Sequence, residues 1–182
     1  MSQVAFRDLL GEPVRNGVYK RKEFHGSGVK LVNMKELFAF DFLSDQPESR
    51  IELTPAELAK SHLRDGDLLF ARRSFVLEGA GKCSLVVNPP EEITFESSMI
   101  RARPNPERAD SRFLYYYFRS PEGRARMASI AARTAVSGIT GSNLSALKVE
   151  VPHVEAQREI ANLLQAFDEL IANNRRRAQL LE

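Results

Sequence analysis

The C-terminal end of the chain carries its clearest alternation of apolar and polar positions. After Pro152, apolar residues recur at spacings that alternate between four and three, as in the seam of a coiled coil. The seam positions are Ile160, Leu164, Phe167, Ile171, Asn174, Ala178 and Leu181. Glu155 near the start and three arginines near the end carry the charges that favour a helix dipole. The pattern predicts a helix over residues 152–182, about 45 Å long at about 1.5 Å per residue.

The apolar seam of this helix would be exposed to solvent if the helix stood alone. Either its seam lies on the helix's own domain as ordinary core, or the helix protrudes and pairs with another helix. Both alternatives require a second apolar surface, and the 3.5-residue period favours self-association or a partner helix. Asn174 within the seam costs stability and suits a role in fixing register or partner choice.

Residues 1–151 show strand and helix patterns without a regular βαβ alternation. Segments rich in β-branched and large apolar residues predict strands at 28–32, 49–53, 67–72, 83–88, 93–102 and 147–151. Capping signals predict helices at 54–63, where Thr54 and Glu57 suit a capping box, and at 120–133, and a compact aromatic run predicts a third helix at 111–118. We therefore predict an α+β fold, a mixed and irregular twisted sheet with a few helices, followed by a long C-terminal coiled-coil helix.

Composition and charge place the chain among ordinary globular proteins. It is 43% hydrophobic and 27% charged, without an apolar run long enough to span a membrane or a signal-peptide pattern. Its one cysteine, Cys83, fits a reducing cytoplasm. The net charge is only +2, but basic blocks at 14–35 and 101–133 flank an acidic block at 36–69. These blocks either form a positive face for a polyanion or are solvated helices that happen to carry arginine.

Catalytic and metal-binding signals are weak. Asn88-Pro89-Pro90 is similar to the catalytic loop of adenine methyltransferases, but Glu91 stands where that loop has an aromatic residue to stack on the extruded base. No glycine-rich loop for S-adenosylmethionine is present, so we interpret the Asn-Pro-Pro stretch as a turn. The three histidines are far apart and Cys83 is alone, which gives no zinc-like ligand pair. We predict a non-catalytic protein with no metal and no cofactor of its own.

Motifs in order along the chain resemble those of the specificity subunits of type I restriction–modification enzymes. Residues 26–37 are similar to that family's early glycine loop and strand, 65–86 to its Gly-Asp-x-Leu-Phe strand and hairpin, and 111–127 to its aromatic helix and following Ser-x-x-Gly helix. The C-terminal matches are Asn143, Leu144, Ser145, Leu147, Val151, Pro152, Glu155, Gln157, Ile160, Leu164, Asp168, Ile171 and Leu181. One proline precedes the helix where the family usually has two.

The resemblance implies a non-catalytic subunit of a multi-subunit DNA methyltransferase and restriction enzyme. Residues 1–151 would then be a target recognition domain for one half of a bipartite site on double-stranded DNA. Residues 152–182 would be a conserved spacer helix that pairs with a second recognition half. The implied partners are the modification (methyltransferase) subunit, on which S-adenosylmethionine is expected, and the restriction (motor and nuclease) subunit.

The resemblance also leaves two questions open. Full-length members usually carry two recognition domains and two helices, whereas this chain has one of each, so it is either half of a longer subunit or a half-length form that pairs with itself. The alternative function is a coiled-coil interaction and dimerisation scaffold without sequence-specific DNA binding. The basic blocks separate the two functions, because a scaffold predicts only weak, sequence-independent binding at physiological salt.

Candidate DNA contacts are basic and hydroxyl side chains in loops. Except for Lys82, they lie in the segment 19–30, in the Ala-Arg-Arg-Ser stretch at 71–74, and in a small, mobile, hydroxyl-rich loop at 132–143. The expected DNA-binding residues are Lys20, Arg21, Lys22, Lys30, Arg72, Arg73, Ser74, Lys82, Arg133, Ser137, Thr140 and Ser142. Tyr115, Tyr116 and Tyr117 are either base-stacking rings or core, and core is favoured because successive helical rings face three directions.

Overall fold

A computed structural model describes residues 2–74, 79–131 and 137–180 of the chain, with the side chain of Ser137 left out. The strands are β1 (Ser2–Ala5), β2 (Leu10–Asn16), β3 (His25–Val32), β4 (Phe42–Leu43), β5 (Arg50–Ile51), β6 (Leu68–Ala71), β7 (Arg73–Ser74), β8 (Cys83–Val86), β9 (Ile93–Phe95), β10 (Met99–Pro104), β11 (Ser137–Gly138) and β12 (Lys148–Val151). The helices are α1 (Met34–Ala39), α2 (Pro55–Ser61), α3 (Ser111–Arg119), α4 (Pro121–Ile130), α5 (Gly141–Ala146) and α6 (Val154–Gln179). The predicted α+β class with a long terminal helix is confirmed.

The centre of the body is a five-stranded sheet in the order β2-β10-β6-β8-β4. All four residues of β6 are buried, because both faces of the sheet are covered. Leu68 and Phe70 belong to one core cluster, whereas Leu69 and Ala71 belong to a second cluster on the opposite face. A continuous apolar run therefore forms a strand that is buried on both sides, instead of alternating between core and solvent.

Three smaller strand groups surround this sheet. β3 lies between β5 and β9, β7 pairs with β11, and β1 pairs with β12. The antiparallel pairing of β1 with β12 aligns Ser2 with Val151, so the start of the chain lies beside the entry to α6. No helix in the described part of the chain has the length and apolar content needed to cross a bilayer.

The single strand predicted at 93–102 is wrong. It is broken into β9 and β10 by a turn at residues 96–98, in which the Met99 amide donates to the Glu96 carbonyl at 3.2 Å. The polar residues Glu96, Ser97 and Ser98 form this turn between two apolar segments. β9 then pairs with β3, whereas β10 pairs with β2 and β6. The strand predicted at 49–53 is also shorter, spanning Arg50–Ile51.

The capping signals locate the predicted helices correctly. The Thr54 hydroxyl accepts from the Glu57 amide at 3.3 Å, and the Glu57 carboxylate accepts from the Thr54 amide at 2.8 Å. α3 and α4 likewise begin after the capping residues Asp110 and Ser120. α1 was not predicted, although its start has the same spacing, with the Glu36 carboxylate accepting from the amide three residues earlier at 2.9 Å.

The terminal helix α6 is 26 residues long, which corresponds to about 39 Å. Its N-cap is His153, whose Nδ1 accepts from the Ala156 amide at 3.4 Å. Buried positions occur only near its start, and residues 166–180 are all exposed. The helix is thus partly covered by the body along its first half, whereas its second half is exposed and contacts the body at Asp168. The division into a domain at 1–151 and a helix at 152–182 stays a prediction.

A buried amide fixes the start of α6 to the body. Gln157 is 1% exposed and is surrounded by main-chain groups. Its Oε1 accepts from the Asp110 amide at 2.9 Å, and its Nε2 donates to the Pro152 carbonyl at 2.9 Å and to the Arg108 carbonyl at 3.4 Å. Both ends of the side-chain amide are therefore satisfied, as burial requires.

Further polar contacts continue along the same stripe of the helix. Arg112 donates to the Gln165 side chain at 2.7 Å, and the Tyr116 hydroxyl donates to Asp168 at 2.8 Å. Ala161 is the buried apolar residue among these groups. The body-facing stripe of α6 is consequently held by several hydrogen bonds, and most of the large apolar side chains of the helix are exposed.

Replacing Gln157 with alanine is expected to destabilise the protein by about 1–3 kcal/mol, because the Asp110 amide loses its acceptor while remaining covered. Chemical denaturation of purified variants measures this change. Asn162→Ala removes an exposed amide from the same helix and is the control, with an expected change within about 0.5 kcal/mol. Equal stability of the two variants would contradict the role given to Gln157.

Candidate nucleic-acid interface

The turn at residues 96–98 brings two of the predicted contact segments together. On one side, the Val18 amide donates to the Phe95 carbonyl and the Ser97 amide donates to the Val18 carbonyl, both at 2.9 Å. On the other side, the Arg72 amide donates to the Ser98 carbonyl at 2.8 Å. The basic segment that follows Val18 and the arginines at 72 and 73 are therefore attached to the same short turn.

The hydroxyl-rich segment joins this group through main-chain pairing. β11 pairs with β7, which aligns Ser137 with Ser74 and Gly138 with Arg73. The Ile139 amide then donates to the Arg72 carbonyl at 2.9 Å. The predicted segments 19–30, 71–74 and 132–143 are thus linked near the turn at 96–98, the first through its neighbour Val18 and the third through β7.

The mobile loop predicted at 132–143 is wrong for its described part. Residues 137–138 form β11, and α5 begins after Thr140, whose hydroxyl accepts from the Asn143 amide at 3.1 Å. Ser142 lies 3.0 Å from the Thr140 hydroxyl and is exposed on this helix. The segment is helical from Gly141 onward because Thr140 caps the start of α5. Arg133 lies outside the described residues, and only the backbone of Ser137 is described.

Lys20 anchors the basic segment to helix α2. Its ammonium lies 2.8 Å from the Glu57 carboxylate and 4.8 Å from the centre of the Phe24 ring. The ammonium beside Glu57, together with the cap of α2, lowers the pKa of this carboxyl to about 2. Lys20 is therefore engaged in holding the segment in place.

Arg21 and Lys22 differ from Lys20. Both are exposed, and neither forms an ion pair within the described part of the chain. Arg72 is half-buried and its guanidinium donates to the Ser97 carbonyl at 3.4 Å, whereas Arg73 is exposed. Ser74 is half-buried in β7. The exposed positive charge around the turn is thus carried mainly by Arg21, Lys22 and Arg73.

The side chains of two further predicted cations, Lys30 and Lys82, are bound to other groups of the protein. Lys30 is mostly covered and bonds to Asp45, with Glu91 at 3.3 Å. Lys82 donates to the Phe38 carbonyl at 2.6 Å, and partial burial lowers its pKa. Both ammonium groups are already bound to nearby acceptors of the protein, which makes them weaker candidates for DNA contact. Their roles in DNA binding stay predictions.

The arginines of the second basic block mostly serve the fold. Arg103 donates to Asp67 at 2.6 Å and also pairs with Glu12. Arg101 is 2% exposed and lies 3.1 Å from the same Glu12 carboxylate. Arg126 bonds to Glu122 and to Glu150 farther along the chain. The sequence left open whether this block forms a positive face, and Arg101, Arg103 and Arg126 are neutralised by carboxylates of the protein.

The tyrosine run is part of the core, as favoured by the sequence. Tyr115 and Tyr117 are buried, and Tyr115 packs on Phe42 with ring centres 5.0 Å apart. Tyr116 contacts Asp168 of α6 and its pKa is raised by burial and by that hydrogen bond. The aromatic residue that sequence reasoning missed is Tyr19, which is 84% exposed within the basic segment. The sequence feature that could have singled it out is its position directly before three consecutive cations.

The helix-pairing residues form an exposed face on α6. Phe167 is 54% exposed, and Ile160 and Ile171 are similarly open to solvent. Asn174 and Ala178 are exposed and Leu164 is half-buried, while Leu181 lies outside the described residues. Leu163 and Leu170 widen the exposed apolar face. Leu164 is the seam residue that the body partly covers, and the other described seam residues are exposed beside the polar stripe that docks the helix.

Catalytic and metal chemistry receive no support from the described geometry. Among the described residues, no three His, Cys, Asp or Glu side chains are placed to hold a metal ion. Cys83 is buried, and burial raises the pKa of its thiol, which disfavours the reactive thiolate. Asn88 has a φ of 41° and its amide donates to Asp65 at 2.9 Å, which fits the turn interpreted from the sequence.

Comparison with known proteins identifies relatives over most of the chain. A family model described as the type I restriction modification DNA specificity domain matches residues 47–182. The chain is 30% identical over 158 residues to the type I restriction enzyme EcoKI specificity subunit of Escherichia coli (strain K12), covering 85% of the chain and 33% of that relative. It is 25% identical to the putative type I restriction enzyme MjaX specificity subunit of Methanocaldococcus jannaschii, covering 96% of the chain and 41% of that relative.

Solved structures share the fold. A crystal structure of the HsdS subunit from Thermoanaerobacter tengcongensis aligns with a TM-score of 0.67 and 15% identity, over 96% of this chain and 39% of that one. The type I restriction–modification S subunit from M. genitalium aligns with a TM-score of 0.63 and 18% identity, over 94% of this chain and 40% of that one. The chain thus spans well under half the length of the relatives it matches.

The contact between Lys20 and Glu57 predicts a specific pH response. Because the folded-state pKa of Glu57 is lowered, the contact contributes stability above the ordinary carboxyl pKa of 4.5 and loses it as pH falls through about 2. Carboxyl titration by NMR is expected to place the Glu57 midpoint near 2 and to move it upward in Lys20→Met. Lys22→Met, an exposed neighbour, is the control; an equal shift in both variants would contradict the assigned pairing.

Proposed function

The chain belongs to the family of type I restriction–modification DNA specificity domains, and from this membership we propose that residues 1–151 recognise one half of a bipartite target on double-stranded DNA. The observation that carries the proposal is the meeting of the segments 18–22, 72–74 and 137–142 around one turn. These segments combine exposed cations with hydroxyl and main-chain groups, which are the groups that bind phosphates and base edges.

We propose further that α6 is a spacer and pairs with a second recognition half. A rod of about 39 Å is comparable to one turn of B-DNA, which rises about 34–36 Å. Its polar stripe is occupied by the body, while its apolar face is available to another helix. The second half comes either from a second copy of this chain, which would require a palindromic target, or from another recognition domain.

In this proposal the protein is a non-catalytic subunit. It would position the modification (methyltransferase) subunit, which would hold S-adenosylmethionine, and the restriction (motor and nuclease) subunit on the selected site. Residues 1–151 would then select the DNA sequence, and the partner subunits would carry out methylation and cleavage.

The second candidate function is an interaction scaffold that binds no specific DNA sequence. The internal pairing of Arg101, Arg103 and Arg126 favours this alternative, because it leaves less positive charge on the surface than the sequence suggests. The exposed arginines around the turn favour DNA recognition instead. The salt dependence and sequence dependence of binding distinguish the two functions.

Replacing Arg72 and Arg73 together with glutamine is expected to weaken DNA binding and reduce its salt dependence. Each lost phosphate contact reduces the magnitude of the slope of log affinity against log salt by about 0.9. The slope of the double variant is therefore expected to be smaller in magnitude by up to about 2. Fluorescence anisotropy over a salt series measures both quantities.

The matched control for this pair is Arg175→Gln with Arg176→Gln, which removes the same charge from the exposed end of α6. It is expected to keep the slope of the original protein. Thermal unfolding of both double variants verifies that the body remains folded. An unchanged slope in the Arg72 and Arg73 variant would remove these residues from the interface.

Placing glutamate at Phe167 and Ile171 is expected to abolish self-association, because two charges would enter the apolar face of α6. Sedimentation equilibrium over a range of protein concentrations measures the association constant, and circular dichroism measures helix content. The body is expected to stay folded, since the seam does not dock the helix on it.

The control adds the same two charges at Asn162 and Asn173, exposed polar positions of the same helix. This variant is expected to associate as the original protein does. A monomeric original protein with α6 fully formed, or an unimpaired Phe167 and Ile171 variant, would exclude pairing between copies through this face.

A further inference from the structure

Tyr19 is an unusual residue in this molecule because its ring takes no part in the fold. It has the most exposed large hydrophobic or aromatic side chain of the described residues, at 84%. Its hydroxyl forms no hydrogen bond with any group in the described ranges. Exposed single aromatics are common on protein surfaces, so the exposure gains meaning only from how the residue is held and what surrounds it.

The main chain before Tyr19 is fixed. Gly17 packs so closely on the strand end that a Cβ atom there would lie 2.2 Å from the Phe95 carbonyl oxygen. Val18 exchanges hydrogen bonds with the Phe95 carbonyl and the Ser97 amide, each at 2.9 Å. The residue before Tyr19 is therefore bound to the turn at 96–98 on both its donor and its acceptor.

The residue after Tyr19 is fixed as well. The Lys20 ammonium is held by Glu57 at 2.8 Å and lies over the Phe24 ring. The Lys20 carbonyl is within 3.4 Å of the His25 ring. A ring that projects from a backbone held on both sides loses little further freedom when it binds, which favours its use as a contact.

The surroundings of Tyr19 point to one kind of ligand. Arg21 and Lys22 follow it with exposed charges, and the turn at 96–98 connects it to Arg72. An uncharged ring among cations matches a ligand in which flat, uncharged groups alternate with anionic groups. Double-stranded DNA has this composition: cations neutralise the phosphates, and an aromatic ring makes apolar contact with a base edge in a groove, such as a thymine methyl.

We propose that Tyr19 contacts a base of the DNA half-site through its ring and so takes part in the choice of target sequence. This inference rests on the proposed DNA-recognition function of the body. It assigns Tyr19 to specificity and the neighbouring Arg21 and Lys22 to phosphate binding. The two roles respond differently to substitution, because loss of a phosphate contact changes salt dependence and loss of a base contact changes sequence preference.

The test compares the full chain with Tyr19→Ala, Tyr19→Phe and Phe40→Ala, the last removing an exposed ring outside the basic segment. Each protein selects from a duplex pool with a random central segment, and the bound DNA is sequenced. Affinity is then measured over a salt series for the most enriched duplex and for an unrelated one. Tyr19→Ala is expected to weaken binding of the enriched duplex about tenfold and to lose preference at one or two positions.

Binding of the unrelated duplex and the salt slope are expected to be unchanged in Tyr19→Ala. Tyr19→Phe keeps the ring and is expected to retain affinity within about twofold, and Phe40→Ala is expected to behave as the original protein. Unchanged preference in Tyr19→Ala, or an equal loss in Tyr19→Phe, would overturn the ring contact while leaving DNA recognition intact. If the original protein enriches no sequence, the proposed recognition function fails and this inference fails with it.

Discussion

The arrangement of the molecule depends on two different faces of α6. One face is joined to the body by hydrogen bonds, and another carries exposed apolar side chains. The stripe that faces the body is held by Gln157, Gln165 and Asp168, and these polar groups require defined donor and acceptor directions. Apolar contact is non-directional and would fix the rod less sharply. Most of the large apolar side chains of α6 are exposed and lie on a neighbouring face of the helix. One helix therefore receives its direction from the body and presents its seam elsewhere.

The body depends in a similar way on one short turn. Residues 96–98 allow the chain to leave the sheet of β3 and enter the five-stranded sheet, and their main-chain groups bind both Val18 and Arg72. Loops that are far apart in sequence become neighbours because they bond to the same few peptide groups. The cations on these loops then differ in role, since Lys20 is bound to Glu57 while Arg21 and Lys22 are exposed.

Local signals in the sequence were sufficient for much of the fold. Capping residues such as Thr54 and Ser120 located helices, apolar runs located the central strands, and the 4-3 spacing located α6 with its exposed seam. Long-range information was missing. Nothing local shows that the segment 93–102 divides between two sheets, or that Arg101 and Arg103 meet Glu12 and Asp67. A charge count treats an internally paired arginine and an exposed one alike, which is why the sequence left open whether the second basic block forms a positive face.

The contacts of Gln157 have a consequence for how such a molecule can change over evolutionary time. Every group that it bonds is a main-chain amide or carbonyl, belonging to Asp110, Pro152 and Arg108. Main-chain groups remain when side chains are replaced, provided that the backbone keeps its course. The joint between body and rod is therefore tolerant of sequence drift in the body. The surface of the body can therefore change in sequence without a matching change in the helix, as long as its backbone keeps its course.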